Sequence, residues 1–188
     1  MKAYKKLHHI ASIQGGLFTA KQAESCGYAR SNHHYHIKSG NWIKEGWGIY
    51  RLAHIPVDEM TSYWKLLLWS CNGKSEPLAA FSHKTALSFY ELSDVNPSKV
   101  TMTVPKTFQK RSRPFKTLRV CKKDLSKKDV KQFKGLPVTT PLRTLLDIYE
   151  EESLSENLME QAVKEALEKG FIRKSDLKKN PELARYAL

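Results

Sequence analysis

Glycines cut the first fifty residues into pieces that only short helices and a hairpin can fill. They stand as Gly15-Gly16, Gly27, Gly40, Gly46 and Gly48. Before the first pair, Tyr4, Leu7, His8 and Ala11 follow the i, i+3, i+4, i+7 spacing of a helix over Tyr4–Ile13, which the glycines end. Leu17-Phe18 is an apolar link. Thr19 is suited to cap a second helix, Ala20–Cys26, whose Ala20 and Ala23 let another helix pack close. A third helix is predicted over Arg30–Ser39, closed by Gly40. Two β-rich runs, Asn41–Lys44 and Gly48–Leu52, then flank Glu45-Gly46-Trp47 and predict a hairpin.

Two helices about a glycine turn, with a hairpin behind them, are the pattern of a winged helix-turn-helix. The third helix is unusually polar: Asn32, His33, His34, Tyr35, His36 and Lys38, with Ile37 its one aliphatic residue. A purely structural helix needs a wider apolar stripe. His33 and Ile37 are expected inward over Tyr28, and Asn32, Tyr35, Lys38 and His36 outward, with His34 on the border. The bland alternative is a solvated face. The specific one is a helix in the DNA major groove, where Asn pairs with adenine edges, Arg with guanine, and lysines hold phosphates. The candidate DNA contacts are Thr19, Arg30, Ser31, Asn32, His34, Tyr35, His36, Lys38, Lys44 and Trp47. No Cys, Asp or Glu stands at ligand spacing beside the histidine triplet, so no metal and no cofactor is expected.

Charge points the same way. The net charge of +13 over 188 residues favours a polyanionic partner. Residues 1–55 carry net +6, residues 56–140 net +9 and residues 141–188 net −2, so the larger basic excess lies outside the first module. No stretch of about 18 apolar residues exists to span a membrane. The amino-terminal stretch lacks the apolar core of a secretory signal. Cys26, Cys71 and Cys121 are too scattered for a disulfide framework, and reduced thiols fit a cytoplasmic protein.

A linker is expected over Arg51–Glu59, which contains Pro56. Helices are predicted over Met60–Cys71, from Ser82 to Leu92, from the Thr140-Pro141 cap, from a Ser153-x-x-Glu156 capping box, and after Ser175. Val100–Val104 and Leu118–Cys121 read as strands. The basic loop between them carries Lys106, Lys110, Arg111, Arg113 and Lys116, which are possible further contacts to DNA or a partner. Arg143 and Asp147 stand i, i+4 and are expected to pair on a helix surface. The expected architecture is α+β: a winged helix-turn-helix over residues 1–55 and a mixed α+β domain over 56–188. Enzyme signatures are missing. There is no glycine-rich phosphate loop, no Gly-x-Ser-x-Gly and no Glu-x-Lys. Asp129-Val-Lys131 and Asp176-Leu-Lys178 are the nearest approaches to a nuclease motif, and no cysteine has a sequence partner, so catalysis is not expected.

Several stretches resemble one family in order. Gly16–Ala23, Gly27–Ser31 and Gly40–Leu52 resemble the N-terminal domain of the AbiEi family. Ala79–Leu92, Lys99–Lys106 and Gly135–Asp147 resemble its later helix, strand and most recognisable stretch, so the likeness covers residues 4–170. AbiEi proteins are transcription-repressing antitoxins of AbiE-type (type IV) toxin–antitoxin systems, which act in phage defence by abortive infection. The resemblance implies a DNA-binding autorepressor acting on an operator, with inverted repeats one possible form. It also implies an antitoxin opposing an AbiEii-type nucleotidyltransferase toxin without a stable complex. The alternatives are a stand-alone winged-helix transcription factor with no toxin partner and, behind it, a nuclease-associated or remnant nuclease protein.

Overall fold

The computed structural model describes residues 2–110 and 116–187. The chain divides into two compact units, Met1–Leu78 and Ala79–Leu188. Both helices and sheets occur in each, so the α+β class holds.

The first unit opens with α1 (Ala3–Ile13), β1 (Leu17–Thr19) and α2 (Ala20–Ser25). A 3-10 turn, Arg30–Asn32, leads into α3 (His33–Lys38), followed by β2 (Trp42–Gly46), β3 (Ile49–Leu52) and α4 (Glu59–Trp69). The strands form an antiparallel sheet in the order β1-β3-β2. Leu17-Phe18, expected as a mere link, is thus a strand that ties the helices to the hairpin. Leu7, Ala11, Phe18, Ala23, Cys26, Trp42 and Leu52 make the core. Gly16 has φ +83°, and a Cβ there would lie 2.9 Å from Ile55 Cγ2. Gly16→Ala therefore meets both a left-handed backbone and a clash, and should cost about 1–3 kcal/mol in a urea unfolding measurement.

The expected boundary at residue 55 falls inside this unit. Asp58 caps α4 reciprocally with Thr61 (2.8 Å and 3.0 Å), and the helix buries Trp64, Leu66, Leu67 and Leu68. It packs on β1 and β3, so it belongs with the strands before it. Arg51, expected at the start of a linker, is a buried β3 residue bonded to Glu45 and to the Ile55 carbonyl.

The second unit contains β4 (Ala80–Phe81), α5 (His83–Phe89), β5 (Val100–Val104), β6 (Leu118–Lys122), β7 (Val130–Phe133) and β8 (Leu136–Thr139). The helices α6 (Pro141–Glu150), α7 (Glu156–Glu168), α8 (Lys174–Lys179) and α9 (Pro181–Ala184) follow. The sheet order is β6-β5-β4-β8-β7, with β5–β6 and β4–β8 parallel and the other pairs antiparallel. Because β5 and β6 run parallel, they are not the two arms of a hairpin. Thr101–Val104 are all buried because β5 lies inside the sheet, so the alternation in sequence does not become alternation in exposure. Thr140 caps α6 with Pro141 in its first turn, as expected. Two other caps move. Ser155, not Ser153, precedes α7, and Arg173 precedes α8, its N–H donating to Asp176 at 2.8 Å.

Candidate nucleic-acid interface

Thr19 ends β1 and begins α2, and its side chain is consumed there. Gln22 N–H donates to Thr19 Oγ1 at 3.2 Å, and Thr19 N–H donates to Gln22 Oε1 at 2.8 Å. The residue is buried, which corrects its expected role as a DNA contact. The signal was legible, because Thr-x-x-Gln is a capping box.

After the Gly27 turn, His33 is the anchor of the polar segment. It is buried, its Nε2 lies 3.1 Å from the Tyr28 carbonyl, and its ring meets Trp42 and Tyr50 edge-on. Ile37 packs on the same core one turn later. That anchoring exposes Arg30, Ser31, Asn32, His34, Tyr35 and Lys38 together, with Tyr35 62% exposed. Arg30 reaches only a loose ion pair with Glu24 at 3.8 Å. His36 departs from expectation. It is half-buried and stacks on Trp42 with ring centroids 4.6 Å apart. Burial, helped by nearby His33, holds its pKa below the usual histidine value, and the ring serves packing.

The hairpin presents Lys44 and Trp47 outward, the latter 96% exposed at the tip. The negative charge of Glu45 is paired there rather than free. Its carboxylate takes Arg51 at 3.0 Å and Lys65 at 3.1 Å. Burial works against the ion, but these two cations outweigh it and hold Glu45 below the ordinary carboxylate range. The sequence showed the acid but not its partners, which arrive from β3 and α4.

No family model and no curated protein matches the chain. Among solved structures, the chain is similar to the crystal structure of RV2827C protein from Mycobacterium tuberculosis. The two are 10% identical with a TM-score of 0.55, and the match covers 100% of this chain and 76% of that one. At that identity the likeness concerns the fold alone.

In the second unit Lys106, Lys110 and Lys116 are exposed, while Arg111 and Arg113 lie outside the described residues. Among the described residues no helix is long and apolar enough to cross a membrane. Sequence reasoning missed a polar cluster here. Buried His83 places Nδ1 2.9 Å from Ser82 Oγ, which accepts from Thr103 Oγ1 at 2.8 Å. Its Nε2 lies 3.3 Å from Glu151 Oε1. Cys121 Sγ donates to the same oxygen at 3.8 Å, and Arg119 holds Oε2 at 2.8 Å. Burial, then the Glu151 charge, push the Cys121 thiol up to about 11, which disarms it as a free nucleophile. Ser82 stands at the start of α5, but its hydroxyl serves His83 rather than a helix N–H.

Proposed function

We propose that the first unit is a winged helix-turn-helix that binds double-stranded DNA, and that the protein is a transcriptional autorepressor and antitoxin. One observation carries the DNA reading. Two inward residues, His33 and Ile37, leave six polar or aromatic side chains of the Arg30–Lys38 segment exposed on one short stretch. Arg30 and Asn32 are the base-edge readers, since both can bond a purine edge in bidentate fashion. Lys38 and Lys44 hold phosphates, and Trp47 at the hairpin tip lies against the backbone or the adjacent groove. Thr19 and His36 have structural duties and are left out of the contact set. Lys106, Lys110 and Lys116 add sequence-independent charge.

The antitoxin half rests on the resemblance to the AbiEi family. The protein acts in the cytoplasm on its own operator and opposes an AbiEii-type nucleotidyltransferase toxin without forming a stable complex with it. It performs no catalysis of its own in this reading.

The test is Arg30→Ala combined with Lys38→Ala, measured against duplex DNA from the protein's own promoter at fixed salt. Affinity should fall about 10–100-fold, and the slope of log affinity against log salt should drop by about 1–2. Unchanged affinity removes the recognition role from this helix. Co-expression with the toxin encoded beside it tests the second half. Restored growth supports the antitoxin, whereas intact DNA binding without rescue favours a stand-alone transcription factor.

A further inference from the structure

Three residues far apart in sequence converge in the second unit. His83 opens α5, Cys121 lies in β6, and Glu151 follows the last turn of α6. Their ligating atoms, Nε2, Sγ and Oε1, all lie within 4.8 Å of one another. We propose that this is a zinc site. Such a site requires neither DNA binding nor the toxin.

A tetrahedral Zn²⁺ with ordinary Zn–N, Zn–S and Zn–O bonds sets its ligand atoms about 3.3–3.6 Å apart. Here Nε2 and Oε1 are 3.3 Å apart and match that spacing, Sγ and Oε1 are 3.8 Å apart, and the third pair lies within 4.8 Å, so the Cys121 side chain must move inward to close on an ion. The mixed set of imidazole, thiolate and carboxylate suits zinc, and its sulfur disfavours magnesium or calcium.

The surroundings orient the ligands. With Nδ1–H donating to Ser82 Oγ, the His83 ring turns the lone pair of Nε2 toward the cluster, as outer-shell partners do in zinc proteins. Arg119 occupies Glu151 Oε2 and leaves Oε1 to bind the ion. His83 sits at φ +53°, a region costly for a residue with a Cβ, and this conformation places the ring at the head of α5. The ligands face a cleft of about 330 Å³, also lined by Arg119, Lys122, Lys123, Asp147 and Glu150. With Glu151 counted, its three acids equal its three cations, so no excess of positive charge faces the ion. Three protein ligands leave a fourth position open to that cleft for water or an anion. Binding releases the Cys121 thiol proton to solvent as the Zn–S bond forms.

Cobalt is the probe. Co²⁺ added to the full-length protein should bind one ion per chain and give a near-ultraviolet thiolate-to-cobalt charge-transfer band, and Zn²⁺ should erase that band. Cys121→Ser should abolish it, and Glu151→Gln should weaken binding at least about 10-fold. Ser82→Ala, which removes the orienting hydroxyl and with it the acceptor of Thr103, should weaken Zn²⁺ binding about 10-fold. A wild-type protein with no such band overturns the proposal, whatever the variants do. So does a band that survives Cys121→Ser, since Cys26 and Cys71 of the first unit would then be its source. Ions held by the histidines of the first unit give no thiolate band and leave Glu151→Gln unaffected, which also overturns it.

Discussion

Trp42→Ala should destabilise the first unit by about 3–5 kcal/mol, the range for removing a large aromatic from a packed core. Trp42 is 3% exposed. It meets Phe18 edge-on at 4.8 Å, stacks on His36 at 4.6 Å, and touches His33 and Tyr28, each at 5.2 Å. It is therefore the surface on which α3 is seated. Its removal leaves a cavity under both histidines and loosens the helix that presents Arg30 and Lys38. Under the proposed DNA-binding reading, affinity for the promoter duplex should fall by at least as much as in the Arg30→Ala, Lys38→Ala double variant. Trp47→Ala is the control. At 96% exposure it should change stability by no more than about 0.5 kcal/mol, so any loss of DNA binding there reports contact rather than folding. Urea titrations of both variants decide the matter. A cost below about 1 kcal/mol for Trp42→Ala would remove it from the core.

Asp147→Asn should cost about 2–4 kcal/mol at pH 7. The Asp147 side chain is 2% exposed and takes Lys123 Nζ at 2.9 Å and Arg143 Nε at 3.1 Å. The asparagine leaves two cations facing a neutral group in a confined site. The figure stays below that of a wholly buried pair because Lys123 is 34% exposed and keeps water. Burial raises the Asp147 pKa, but the bonds from Arg143 and Lys123 more than offset it, so the folded value lies below the ordinary one. The sign follows from linkage. A depressed folded pKa gives stability that is present above the unfolded value, about 3.9, and is lost as pH falls through the folded value. Wild type should therefore weaken below about pH 4, and the gap between wild type and Asp147→Asn should narrow there. A gap that stays constant from pH 7 to pH 3 would show that Asp147 contributes through shape rather than charge.

Much of the first unit was legible because local rules agree. Glycines mark where helices stop, Thr19 caps, and apolar residues three and four apart fall inward. The same rules placed His33 inside and Arg30, Asn32, Tyr35 and Lys38 outside. They failed where a side chain's neighbour lies elsewhere in the chain. His36 reads as an outward polar residue until Trp42 supplies a ring to stack on. Arg143 and Asp147 read as a surface pair until Lys123 joins them and the Asp147 side chain is left 2% exposed. Residue 55 reads as a boundary because Pro56 follows, yet α4 closes over β1 and β3.

What the sequence determined by itself was most of the helices, the hairpin after Gly40, the strands at Val100 and Leu118, the basic balance, and the polar face of the segment from Arg30 to Lys38, since each depends on near neighbours and on composition. Only the tertiary structure decided which polar groups are spent on internal partners. It turned Thr19, His36 and Glu45 inward, and it gathered His83, Cys121 and Glu151 from three separate elements into one site. The physical reason is that burial, ion pairing and ligation depend on distances in space. Periodicity constrains those distances within an element and says nothing about them between elements.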